Sequence, residues 1–281
     1  TKLSTFDLIA AATWTQEFDL SDQALEIAAA IAPKGFDGLS NETVLKCISA
    51  ASIGSVKKED VLTLRTKPKS EIVGATESVK AAMLLAVDFL ATEFNVTSMA
   101  FVPYEAHLIA LVNIFSDIQS PTSDQLTRLR QWFWRSSLSQ HYRGASEAFV
   151  TKSLSDVLQW VKGGAGNAHQ FGNTLTPEQI ANESFHFRGA TSKALVLALA
   201  SFSNICMLSA QENNRISDID PNVYLPRAIE ELGGDHRAVF SSAFMPAADT
   251  FDYANEGYAA FTGARAEILG QHFEKLCSGE T

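Results

Sequence analysis

ESVKAAMLLAVDFLATEF, residues 77–94, sets Val79, Met83, Ala86, Leu90 and Phe94 three or four positions apart. Spacing of that kind lines one face of an α-helix, because 3.6 residues complete a turn. The run AAMLLAV at 81–87 is the longest apolar stretch in the chain. A bilayer crossing needs roughly 18–20 such residues, so the run predicts a buried helix of a soluble protein. Read outward from here, the chain repeats the same pattern.

Upstream, Leu3, Phe6, Ala10, Trp14 and Phe18 fall on one helix face behind Ser4 and Asp7, which have capping-pair spacing. Ser40 caps a helix carrying Val44, Leu45, Ile48 and Ala51 that stops at Gly54. Downstream, Pro103 suits the first turn of a helix with Leu108, Leu111, Val112 and Phe115 inward, and Thr122 with Gln125 caps the next. Thr176, Pro177 and Gln179 combine an N-cap, a first-turn proline and a capping-box partner. A last long helix is expected from Phe251 to Leu276, with Tyr258, Phe261, Leu269, Phe273 and Leu276 inward. Alternating strand patterns and hairpin dipeptides are nearly absent, so the predicted class is mainly α. KGGAGNAHQFGN, 162–173, reads as a flexible loop whose glycines lack the context of a phosphate-cradling motif.

With 281 residues, 46% of them apolar, the chain can bury one large or two modest cores without staples. Its three cysteines (Cys47, Cys206, Cys277) lie in apolar surroundings without CxxC spacing, which predicts buried thiols and a cytoplasmic setting. The net charge of −10 repels nucleic acid, so any DNA contact must come from a local basic patch.

One segment fits that need. RLRQWFWRSSLSQHYR, 128–143, holds Arg128, Arg130, Arg135, His141 and Arg143 among four aromatic residues and no acid. Two readings stay open for it. Trp132, Phe133 and Trp134 point about 100° apart in succession on a helix, so the segment is either buried between two layers or turns its arginines to phosphates, which their planar forks grip in two places. No GxSxG or HExxH motif is present and the six histidines are scattered. His107 and His272 read as core or interface histidines.

FVPYEAHLIALVNIFS, 101–116, followed by RLRQWFWRSSLSQHYRGASEAF, 128–149, resembles the helical region of the GmrSD-type restriction proteins, modification-dependent bacterial anti-phage nucleases. LSTFDLIAAATW, 3–14, looks like a helix of the same family. NICMLSAQENNRISDIDPNVYL, 204–225, resembles the downstream half of its C-terminal HNH-like nuclease module. The resemblance implies a helical domain over 1–200 and the C-terminal part of an HNH-like (ββα-metal) module over 201–281. It implies metal-dependent phosphodiester hydrolysis in the intact protein, with a divalent ion such as magnesium neutralising the phosphate. By the same resemblance Asn204 orients the hairpin or the general-base histidine, and Asn213 sits at the metal. Read from the residues alone, the two asparagines are equally the caps of a helix.

The match breaks in two places. The family's His-His-Ile-(Phe/Tyr)-Pro element, which supplies the base, is absent between Ala200 and Ser201, and the family's N-terminal ParB-like domain has no counterpart here. The expected partner is DNA, by the resemblance modified foreign DNA, with homo-oligomer formation left open and no membrane. Two further readings accompany the nuclease: a non-catalytic helical module that binds DNA or protein and regulates a nuclease domain elsewhere, and a helical scaffold whose aromatic and arginine segment is a subunit interface.

Overall fold

A computed structural model describes residues 3–182, 186, 189–200 and 221–279. Among the described residues there are helices and no strand, so the chain is mainly α as the periodicity predicts. The strands of a ββα module are therefore not seen among them. Segment 201–220, where that module was expected to begin, lies outside the described residues.

The N-terminal half contributes α1 (Thr5–Thr13), α2 (Leu20–Ile31), α3 (Asn41–Ile53), α4 (Lys58–Val61) and α5 (Lys69–Phe94). Next come α6 (Glu105–Asp117), α7 (Ser123–Leu138), α8 (Glu147–Val161), α9 (Pro177–Asn182) and α10 (Ala190–Ala200). After the undescribed segment follow α11 (Pro221–Leu232), α12 (His236–Ser242) and α13 (Tyr258–Ser278).

Caps fix several of these starts. Ser4 with Asp7, Thr122 with Gln125 and Thr176 with Gln179 each exchange side-chain and backbone hydrogen bonds, satisfying amides that a helix leaves orphaned. Such a cap stabilises by about 1 kcal/mol. Ser40 caps α3, and Gly54 closes it at φ 68°, a left-handed geometry that costs a glycine little.

α6 is the axle. Ten consecutive residues, Ala106 to Phe115, are buried, as a helix surrounded on all sides requires. α5 packs along it most extensively, with Val79, Met83, Ala86, Leu90 and Phe94 all fully buried as their spacing predicts. α3 crosses both, α8 closes the other flank against α6 and α7, and α10 and α13 lie on α7. Phe273, Leu276 and Cys277 of α13 belong to the same core as Phe6 and Ile9, so the main core draws on both sides of position 200. Phe240, Phe251 and Tyr253 form a second, smaller cluster.

Three local expectations change. α1 ends at Thr13, and Trp14 (54% exposed) and Leu3 (64%) point outward, because Asp19 starts a new helix before the stripe can continue. Pro103 precedes α6 instead of opening it, leaving Tyr104 as the uncapped N-terminal residue. α13 begins at Tyr258, which is 76% exposed, and Phe251 packs separately in the small cluster.

Candidate functional site

The segment read as a DNA-contact candidate forms α7 and the turn after it. Trp132, Phe133 and Trp134 are all buried, which is the arrangement of a helix set between layers. Phe133 stacks on Phe94 of α5 with ring centroids 3.8 Å apart, and Trp134 meets the same ring edge-on at 5.5 Å. Trp132 lies against His107 of α6 and donates its indole N–H to the Tyr142 hydroxyl at 3.3 Å. Each such aromatic pair adds about 0.5–1.5 kcal/mol beyond the area it buries.

The five basic residues part company here. Arg128 donates to the Trp160 carbonyl at 2.7 Å, and its guanidinium lies 4.4 Å above the Trp160 ring, a cation–π contact. Arg130 is ion-paired with Glu93 of α5 at 2.6 Å. Arg135 is 9% exposed; it donates through Nε to the Cys277 carbonyl at 3.1 Å and through Nη1 to the Gly172 carbonyl at 3.2 Å. His141 is half-buried against Tyr142 and Phe149, and burial holds its pKa below the usual histidine range. Arg143 is exposed and donates to the Gln140 side chain at 2.6 Å. Of the five, only Arg143 is exposed; the structure does not gather the other four onto one open surface.

Arg135 also reorganises the loop. Its Nη1 lies 3.2 Å from His169 Nδ1, which is also 3.3 Å from Asn173 Oδ1. Residues Ala168–Phe171 form a 3₁₀ turn, Asn167 caps it through His169 N–H, and the Phe171 carbonyl accepts from Ser139. The stretch read as flexible is thus fastened to α7 at several points. Gly172 carries φ 113°, and a Cβ built there would meet Ser139 Oγ at 2.0 Å, so a side chain does not fit.

Behind α7 runs a buried polar chain. His107 Nε2 lies 2.9 Å from Ser136 Oγ, and Ser136 Oγ donates to the Trp132 carbonyl at 2.7 Å. Those two bonds make the imidazole the neutral Nε2–H tautomer and leave Nδ1 as a buried acceptor without a partner. Burial drives the His107 pKa down to about 3. Tyr142 shares a 2.8 Å bond with Ser153, and burial raises its pKa to about 12. A cleft of about 210 Å³ opens over this chain, lined by Lys46, Tyr104, Glu105 and Glu147. Its charges are matched: Glu105 accepts from Lys46 at 3.1 Å and from Thr43 at 2.5 Å, and Glu147 accepts from the Lys58 amide at 2.9 Å. The arrangement positions a core histidine and orders two helices; the Ser136 hydroxyl donates to the Trp132 carbonyl and not to the imidazole.

Asn204 and Asn213, the residues expected to serve the metal, lie outside the described residues. In the described residues on either side of them, His272 Nε2 of α13 lies 3.3 Å from the carbonyl of Ala198, in the last turn of α10. Among the described residues no group of three or more His, Cys, Asp or Glu is arranged to hold a metal ion, and no helix is long and apolar enough to cross a membrane.

The sequence reading passed over Asn113 and Ser116, which it took as part of the apolar helix LIALVNIF and its end. A lone amide inside a helix that is otherwise buried on every side was the available signal. No family model, no curated protein and no solved structure matches the chain.

Proposed function

We propose that this chain is the helical and C-terminal portion of a GmrSD-like DNA endonuclease, acting on modified foreign DNA through a divalent-metal HNH centre in the intact protein. The observation that carries the reading is the block 204–225, in which Asn204, Asn213, Ile216, Ser217, Pro221, Tyr224 and Leu225 occur in the family's order. The helical body supports it in one respect. α10, which leads into that block, is held by α7 and by the His272–Ala198 contact, so the block would be presented from a rigid base. Asn213 and Asn204 would supply neutral oxygen and amide ligation or orientation, and the ion would stabilise the leaving oxygen. The expected ββα geometry of the nuclease module is part of this proposal.

Incubation of the intact protein with supercoiled plasmid and magnesium tests it. Nicking that is abolished by EDTA and by Asn213→Ala is the expected outcome; an inert protein across modified and unmodified DNA removes the endonuclease reading.

A second reading is a non-catalytic helical module that regulates a separate nuclease domain by binding protein or DNA. It is favoured by the inward engagement of Arg128, Arg130 and Arg135, which makes α7 an organiser of neighbouring elements.

A further inference from the structure

Between α3, α5, α6 and α8 lies a cleft of about 360 Å³, on the face of α6 away from His107's neighbours in α7. That volume is within the roughly 300–1,000 Å³ of small-molecule sites. Ala51, Gly54 and Ala75 keep one wall low, and Leu154 and Leu158 of α8 form the other. A Cβ placed on Gly54 meets nothing within 4 Å, so the space is real at that end. Small residues alone make only a gap. What distinguishes this one is its floor.

Asn113 is 8% exposed and lines the cleft. Ser116, three positions on and therefore on the same helix face, also lines the cleft, and its buried Oγ has no partner among the described residues. A buried polar atom lacking a partner, as Ser116 Oγ is, is rare, because it forfeits its bonds to water. With the Asn113 carboxamide lining the same cavity, it forms a donor and acceptor set open to a ligand.

The surroundings select the ligand. No lysine, arginine or histidine lines the cleft. Asp117 stands at its edge, ion-paired with Lys162, and both α3 and α6 end there, so the negative ends of two helix dipoles face the same space. Anions are disfavoured. The lining also lacks an aromatic ring on which a flat base would stack. We infer that this cleft binds a small uncharged cyclic amide, whose C=O accepts from Asn113 Nδ2 and whose adjacent N–H donates to Asn113 Oδ1, with Ser116 Oγ completing the set. The site does not depend on the nuclease reading.

The test uses the full chain labelled with ¹⁵N and three ring-sized probes: δ-valerolactam, cyclohexanone, which lacks the N–H, and cyclohexanecarboxylate, which is an anion. Titration with δ-valerolactam at millimolar concentration shifts the Asn113 side-chain amide signals. Cyclohexanone binds about tenfold or more weakly, since the amide oxygen is left unpaired, and the carboxylate does not bind. Asn113→Leu lowers lactam affinity by at least about tenfold, and Ser116→Ala lowers it less. Ala51→Met, which fills the cleft from α3 and leaves Asn113 in place, also removes binding, so the result does not hang on how well Asn113→Leu folds. Equal binding of lactam and cyclohexanone, unchanged lactam affinity in Ala51→Met, or an Asn113 amide that answers to none of the probes and is served by water alone would each overturn the assignment.

Discussion

Arg135 and Cys277 stand 142 positions apart in sequence, yet the Nε of one donates to the carbonyl of the other at 3.1 Å. The guanidinium has no carboxylate partner there. It faces the last turn of α13, where the aligned peptide dipoles leave a partial negative charge, and this is how a nearly buried cation is tolerated without an acid beside it.

Replacing Arg135 with Ala is therefore expected to act on stability before it acts on any ligand. Removing the guanidinium leaves the carbonyls of Cys277 and Gly172 without their donor, at about 1–3 kcal/mol each when buried. Urea denaturation should show a loss of roughly 2–4 kcal/mol, and hydrogen exchange should quicken in 166–172. An unchanged unfolding midpoint together with weakened DNA binding would return Arg135 to the role of a phosphate contact.

DNA affinity, on the proposed function, should depend on Arg143 most directly, since its side chain is open to solvent. Arg143→Ala is expected to reduce affinity uniformly across sequences and to flatten the salt dependence by about one unit of slope. Arg130→Ala breaks the Glu93 pair, which is partly exposed, and should cost no more than about 1 kcal/mol. Fluorescence anisotropy at several salt concentrations separates the two.

Acid should destabilise the fold through its histidines. The folded pKa of His107 is depressed to about 3, below the ordinary 6.5 of the unfolded chain, so the folded state prefers the neutral ring. That contribution is fully present above pH 6.5 and is lost progressively as pH falls toward 3, by up to roughly 4 kcal/mol. His141 and His272 are also shifted downward by burial and add slope of the same sign. His107→Phe should flatten the stability profile between pH 6 and 4 on the order of one proton's worth; a profile identical to wild type would show that His107 titrates normally.

Two thiols should resist modification. Cys47 and Cys277 are fully buried and burial raises both pKa values, Cys277 to about 12. An aromatic disulfide reagent is expected to leave both unlabelled in the native protein and to reach them on unfolding. In Arg135→Ala, Cys277 should label faster than Cys47, because only its carbonyl has lost a tie.

Gly172→Ala should be poorly tolerated. The residue sits at φ 113° and its new methyl would overlap Ser139, so a loss of about 1–3 kcal/mol in thermal unfolding is expected, against near neutrality for Gly263→Ala inside α13, where a Cβ meets nothing.

The elements that the sequence disclosed are those set by local physics. The 79–94 stripe is buried throughout because helix period alone decides it, and the Ser4, Thr122 and Thr176 caps are correct because each pairs with a residue three positions on. Trp14 escaped because a helix's length depends on where the next one must start. The arginines of α7 stayed open between two readings for a deeper reason: a guanidinium has the same letter whether it meets a phosphate or a carbonyl, and the carbonyls of Trp160, Gly172 and Cys277 leave no mark in a sequence. Asn113 escaped because a period count treats a single amide as noise.

The long reach from Arg135 to Cys277 also has a bearing on biosynthesis. While the chain emerges from the ribosome, α7 is synthesised well before its final acceptor, and until the last turn of α13 appears the guanidinium must stay hydrated. Docking of α7 against that side of the body is thereby deferred until α13 has emerged, and the nascent chain carries an unfinished apolar seam that chaperones are suited to shield.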